Sequence, residues 1–336
     1  MTHLVAPVLP VAAPRGPVDH YGPIQEDLEA VETVLRETLE NARPGVARLV
    51  SHLGNYRGKR LRPALLLLTA RACGRIDAAH HVLGAVVEMI HTATLVHDDV
   101  LDQAVIRRHV PTVNANWGNQ ASILLGDYLF THAFHLSSTL DDVRACRIIG
   151  AATTRVCEGE LHQVCERGNL GLTEEAYFDI IDAKTAELTS CCCRLGALFS
   201  GMTPGVVEAL ARFGRGLGSA FQIADDLLDL VGEERTTGKS LGTDLEQQKL
   251  TLPLIRLLGR LPGDEAGRLR QLLRAPGNHK REALRPYLRE SGALEYAREQ
   301  AEAFAARARS ELDCLPPSEC RRILESLTQR VVHRSA

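Results

Sequence analysis

Long apolar runs are missing from this 336-residue chain. Nothing approaches the roughly 18 uninterrupted apolar residues of a membrane-spanning helix, so no integral membrane segment is expected. The opening "MTHLVAPVLPVAAPRG" is apolar, but it lacks a basic start, and Pro7, Pro10 and Pro14 break any helix in it. It reads as a flexible arm over residues 1–22 rather than a signal peptide. Convincing strands are also missing, since β-branched runs are short and no hairpin turn such as Asn-Gly brackets them. A formal net charge of −3 with scattered Lys and Arg excludes the basic stripe of a nucleic-acid binder. The nine cysteines show no C-x-x-C spacing paired with histidines, which excludes a zinc ribbon. Cys191, Cys192 and Cys193 are consecutive and would point in different directions from a helix. They read as small packing residues in a reducing cytoplasm, not as a disulfide framework.

Helical periodicity fills most of the chain after residue 24. "IQEDLEAVETVLRETLENA" alternates acidic and apolar positions, and "VLGAVVEMIHTATLVHDDVLDQA" is apolar nearly all round, which implies burial. The hydrophobic content of 45% is ample for a core. The expected fold class is all-α: one large helical bundle over residues 23–336, with a site in a central cavity between helices. "VVEALARFGRGLGSAFQIADDLLDLVG" carries Gly214, Gly216 and Gly218, each costing up to about 1 kcal/mol in a helix interior. That cost predicts a kink or a close helix approach. "GEERTTGKSLGTDLEQQK", residues 232–249, has no apolar period and reads as a mobile loop at the mouth of a site.

Two acidic clusters interrupt these apolar helices. Asp98, Asp99 and Asp102 lie in "HDDVLDQAVIRR"; Asp225, Asp226 and Asp229 lie in "FQIADDLLDL". At about 100° per residue, Asp98 and Asp102 fall on nearly one helical line with Asp99 beside them. Like charges at this spacing repel, more so where water is excluded, so a cation should offset them. Carboxylates favour hard divalent ions, and Mg²⁺ in particular is held by one or two carboxylates together with water and phosphate oxygens. Basic residues accompany both clusters: Arg107 and Arg108 after the first, Lys239 and Lys249 after the second, and Lys59, Arg60 and Arg62 in "GKRLRP". Arginine forks and lysine point charges suit phosphate, so two anion subsites are expected, one bridged by metal and one held directly.

In order along the chain, "GKRLRP", "EMIHTATLVHDDVLDQAVIRR", "GNQASILLGDYL", "AKTAEL", "FQIADDLLD" and "GKSLGTDLEQQKLTLP" resemble the trans-prenyltransferases, the polyprenyl diphosphate synthases. The likeness runs nearly end to end. It implies head-to-tail condensation of isopentenyl diphosphate with an allylic diphosphate, and, as commonly in this family, a homodimer. By resemblance, Asp98, Asp99, Asp102, Asp225, Asp226 and Asp229 bind Mg²⁺ and the allylic diphosphate, which Arg107, Lys184, Lys239 and Lys249 also contact. Lys59, Arg62, His91 and Arg108 match the isopentenyl diphosphate pocket. Thr185 and Gln222, with Lys184, match the catalytic groups near the allylic carbon.

Two positions depart from the family pattern: His109 and Gln248 stand where glycine is usual, which puts local turn geometry in question. Product length is set by a steric stop. Each added five-carbon unit gains roughly 3–4 kcal/mol by burial, so burial alone does not end growth. Short-chain relatives place a bulky aromatic four or five residues before the first aspartate. Here those positions are the small Thr94 and Ala93, and aromatics are only 4% of the chain. A product beyond twenty carbons is expected, such as a quinone side-chain precursor, with Phe134 as a deeper floor. The alternatives are a geranylgeranyl or farnesyl diphosphate synthase. More distant is a class I terpene cyclase, which needs no second diphosphate pocket. A non-catalytic metal-binding scaffold is a further rival, and it would gain nothing from pyrophosphate.

Overall fold

A computed structural model describes residues 21–40, 42–54, 58–232, 241–275 and 280–333. In chain order the helices are α1 (Gln25–Glu40), α2 (Pro44–Leu53), α3 (Leu61–Ala72), α4 (Ala78–Leu101), α5 (Val113–Ser138), α6 (Val143–Cys165), α7 (Glu174–Ile181), α8 (Glu187–Phe199) and α9 (Pro204–Val231). They continue with α10 (Thr243–Glu246), α11 (Leu252–Arg260), α12 (Gly263–Arg274), α13 (Lys280–Glu290), α14 (Ala293–Glu311) and α15 (Glu319–Val332). The all-α expectation holds, and no helix among the described residues is long and apolar enough to cross a membrane.

The apolar helices take the centre, as their patterning requires. Leu65 to Leu68 of α3 and Ala85 to Val87 of α4 are at most 1% exposed. α4 starts on a capping box in which the Asp77 side chain accepts from Ala79 N–H and the His80 ring faces back to the Asp77 N–H. α3, α4, α8 and α9 pack into one aliphatic core that includes Cys191, Cys192 and Cys193. Burial pushes the Cys191 and Cys193 thiols up to about 12, so they are inert packing groups; all nine cysteines are free. A second core joins the lower half of α9 to α7, α11 and the helices that follow.

The α9 glycines mark a close approach, not a kink. A Cβ on Gly214 would lie 2.5 Å from the Thr189 carbonyl oxygen, and one on Gly218 would lie 2.6 Å from Ala186 Cα. On the other side of the helix, Gly216 faces Ala308 of α14. Only glycine lets these backbones meet.

Three local features depart from the sequence reading. Ile106–Arg107 and Val110–Pro111 form a minimal antiparallel pair, closed by Arg108 and His109 at φ 52° and 65°. Two successive left-handed residues make the primed turn that a tight hairpin needs, so His109 takes the backbone conformation that glycine adopts most readily. Gln248, at φ 57°, does the same. Histidine is tolerated in this region better than most side chains. The expected loop over 232–249 is ordered at its described end, 241–249, which contains α10. Finally, α7 runs into α8 through a π turn, Asp182–Ala186, closed by Glu187 N–H donating to the Asp182 carbonyl.

Candidate active site

The long buried helices α4 and α9 deliver the two aspartate clusters to one end of the bundle. Asp98 and Asp99 lie in the last turn of α4, and Asp102 caps it. Asp99 is fully buried and accepts from Arg107 Nε at 2.7 Å, so the hairpin after α4 folds its arginine back onto the cluster. One oxygen of Asp102 receives both Arg167 and Lys249, each at 3.2 Å. Burial pushes the Asp98 carboxyl up to about 6, against the pull of Lys184.

On α9, Asp225 is half-buried, while Asp226 and Asp229 are buried. Asp226 accepts from Tyr177 Oη at 2.6 Å and from Gln222 Nε2 at 2.7 Å. Gln222 in turn accepts the Thr185 hydroxyl at 2.7 Å, which fixes its amide orientation. Burial, with the Asp244 charge adding to it, pushes Asp226 up to about 8. Asp229 accepts from Thr243 Oγ1 and from the Asp244 backbone N–H, tying α10 to α9. Asp244 is itself pushed up to about 6 by burial and by Asp229.

Two lysines stand between the clusters. Lys184, from the π turn, bonds Glu160 at 2.9 Å and Gln163 at 2.7 Å. Burial would lower its pKa, but Glu160, Asp98 and Asp102 outweigh that and raise it, so it is a permanent cation. Lys249 bonds Asp102 and lines the same cleft as Asp226, Asp244, Lys184 and Gln222. The cleft therefore has acid on two walls and fixed positive charge between them.

A separate group of cationic side chains gathers near the first cluster. Arg62 is half-buried, and its Nε has no partner among the described residues. Burial lowers its pKa, and Arg108 lowers it further. His91 is held well below 6.5 by burial and by Arg62, Arg108, Arg107 and Arg60, so it is neutral. A Cβ on Gly58 would sit 2.3 Å from Arg108 Nη1; the missing side chain makes room for that guanidinium. Such crowded positive charge, with an orphaned buried donor, fits an anion. Lys59 is exposed, and Tyr21 donates to its carbonyl. Arg60 instead turns away to Glu32 and Glu88.

Most of the sequence-predicted site residues are thus brought together. Lys239 lies outside the described residues. Ala93 is fully buried and Thr94 half-buried, with Thr94 Oγ1 returning to the His91 carbonyl. Phe134 is corrected: it is 39% exposed on the outer side of α5, so it does not form an interior floor of the chain. Sequence reasoning missed Tyr177, Glu160, Gln163, Arg167 and Asp244. Asp244 lay in a polar stretch already marked as site-forming; the others carried no spacing signal.

As for metal, among the described residues no three carboxylate, histidine or cysteine side chains gather as a ready cage. The donor set is carboxylate oxygen on two opposed walls, which suits a hard divalent ion completed by water and phosphate oxygens rather than by protein alone.

An all-helical fold with paired DDxxD clusters around one cleft places the chain in the class of trans-prenyltransferases. It belongs to the polyprenyl synthetase family, whose model matches residues 43–290. It is 36% identical to an all-trans-nonaprenyl-diphosphate synthase (geranyl-diphosphate specific) of Rhodobacter capsulatus, over 94% of this chain and 97% of that protein. It is 35% identical to the octaprenyl diphosphate synthase of Escherichia coli, over 92% and 96%. A polyprenyl synthase from Caulobacter crescentus, solved with calcium and isoprenyl diphosphate, superposes with a TM-score of 0.90 at 35% identity, covering 96% of this chain and all of that one.

Proposed function

We propose that the protein elongates an allylic diphosphate with isopentenyl diphosphate, head to tail, to a trans-polyprenyl diphosphate of more than twenty carbons. The observation that carries this reading is the pairing of two aspartate clusters, with Lys184 and Lys249 between them, beside a second group of cationic side chains. One diphosphate is released in the first site while the other is only held in the second. Asp98, Asp99, Asp102, Asp225, Asp226 and Asp229 would hold Mg²⁺, which supplies neutralising charge to the departing diphosphate. The Caulobacter relative's calcium and isoprenyl diphosphate support the divalent ion and the substrate class.

In this reading Arg107, Lys184 and Lys249 grip the leaving group, with Lys239 joining them. The allylic C–O bond breaks with its electron pair leaving on diphosphate. The Thr185 hydroxyl and the Gln222 carbonyl, already bonded to each other, turn oxygen dipoles to the carbon that becomes positive. The double bond of isopentenyl diphosphate, held by Lys59, Arg62, His91 and Arg108, attacks that carbon. A proton then leaves to the released diphosphate. A neutral His91 serves this pocket as a hydrogen-bond donor and needs no role as a base.

Long-chain relatives and the small, buried Ala93 support the product length over a geranylgeranyl or farnesyl product. For assembly we favour a homodimer through α5 and α6, because Ile123, Leu124, Leu161 and Val164 are between 37% and 67% exposed there. Nine free cysteines support a reducing, cytoplasmic setting.

The test is incubation of purified protein with farnesyl and isopentenyl diphosphates and Mg²⁺, followed by chromatography of the dephosphorylated products. Products beyond twenty carbons are expected, abolished by chelator and reduced at least about 100-fold by Asp98→Ala or Asp225→Ala. Undiminished turnover in either variant would defeat the scheme. Farnesyl diphosphate as the final product from a shorter primer would defeat the length.

A further inference from the structure

The π turn at Asp182–Ala186 is held by a clamp outside the cleft. In an ordinary helix, residues five apart point about 140° away from each other. Here the i to i+5 backbone bond from Glu187 to Asp182 winds the chain wider and brings their carboxylates to one side. Two arginines each take both carboxylates. Arg215 of α9 reaches Asp182 and Glu187 at 2.5 Å each. Arg155 of α6 reaches them at 2.9 and 3.5 Å.

The same two helices also make room for the wider winding. A Cβ on Gly159, one turn along α6 from Arg155, would lie 2.7 Å from the Lys184 backbone nitrogen. One on Gly218, a turn along α9 from Arg215, would lie 2.6 Å from Ala186 Cα. Each neighbouring helix thus presents an arginine to the ends of the turn and a glycine to its bulge. π turns are under about 1% of residues in proteins and gather at functional sites. This one contains Lys184 and Thr185, whose side chains bond Glu160, Gln163 and Gln222, and Lys184, Gln163 and Gln222 line the cleft.

We infer that Arg155 and Arg215 are positioning residues: by gripping Asp182 and Glu187 together they keep the π turn wound, and so aim Lys184 and Thr185 at the reacting allylic end of the substrate. This inference rests on the proposed prenyl transfer for its kinetic consequence, though not for the clamp itself. A single-point ammonium cannot span two carboxylates as a guanidinium fork does.

The experiment compares the full chain with Arg215→Lys and with the double variant Arg155→Met/Arg215→Met. Amide hydrogen exchange is followed without substrates, and kinetics with Mg²⁺, farnesyl diphosphate and isopentenyl diphosphate. In the double variant, amides 183–187 should exchange at least about tenfold faster while those of α3 and α4 are unchanged. Its kcat should fall about 10- to 100-fold, with KM for isopentenyl diphosphate within about twofold. Arg215→Lys should fall between the two, and as the milder change it keeps the test open if the double variant unfolds. Wild-type kcat in a folded double variant, or faster exchange spread through the whole bundle, overturns the inference. An inactive parent protein would instead overturn the proposed function and leave the exchange result standing.

Discussion

The Tyr177 hydroxyl on α7 donates to Oδ2 of Asp226 on α9 across 2.6 Å, inside the core. Asp226 is a proposed metal ligand, and the other acceptor oxygen is taken by Gln222. Partners of this kind fix a ligand's orientation, and losing one typically costs 10- to 100-fold in metal affinity or activity. Tyr177→Phe keeps the ring packing and removes only the donor. The Mg²⁺ concentration giving half the melting-temperature rise, with pyrophosphate held constant, should increase about tenfold. An unchanged midpoint would make Tyr177 a packing residue only.

Asp226 also gives the metal-free protein a pH signature. Its carboxyl titrates near 3.8 when unfolded and at about 8 when folded. Between those values the folded chain binds more protons than the unfolded one, so stability falls as pH rises through that window. Asp98 and Asp244, raised to about 6, act in the same direction at lower pH. His91, lowered when folded, acts in the opposite direction below about 6.5 and so does not reach the upper part of the window. Urea unfolding of chelated protein should therefore lose stability from pH 6.5 to 8, and Asp226→Asn should flatten that slope. Equal slopes in both proteins would place the Asp226 carboxyl in its ordinary range.

The parts legible in sequence were those written in period and spacing. Asp98 and Asp102 share a helical line whatever packs around them, and the glycines of α9 advertised a close neighbour. What stayed hidden depends on packing. Tyr177 reads as one more apolar position of α7, because nothing local says that its hydroxyl meets α9. Glu160 and Gln163 look like an ordinary polar stripe until α6 is laid against the π turn. Phe134 misled for the reverse reason: its size suggested a floor, but helix rotation turns it outward. The π turn itself has no composition signal, since "DAKTA" is a sound α-helical sequence.

Arg60 joins α1, α3 and α4 through Glu32 and Glu88, with Nη1 to the buried Glu88 at 2.6 Å. It does so from a left-handed backbone, φ 46°, an unfavourable region for arginine. Removing the arginine strands a buried carboxylate whose other oxygen already lacks a partner. Arg60→Ala should cost about 2–4 kcal/mol in urea unfolding. Arg60→Gly should cost roughly 0.5–1 kcal/mol less, because the backbone strain goes with the side chain. Adding Glu88→Gln should recover part of the loss. Full stability in Arg60→Ala would show that the pair contributes nothing net.

Ala93 distinguishes a channel from a packed core. It is fully buried, five residues before Asp98 on α4. If the growing chain runs past it, Ala93→Phe places a ring in space that substrate would otherwise fill, with little cost to the free protein. The product should then shorten toward fifteen or twenty carbons at nearly unchanged melting temperature. If Ala93 faces only packed side chains, the same ring overpacks the core and costs about 1–3 kcal/mol. Product length would then stay as in the parent. The two outcomes separate on a pair of measurements, thermal melting and chromatography of dephosphorylated products. A destabilised variant with the parent's product distribution would move the hydrocarbon path away from this face of α4.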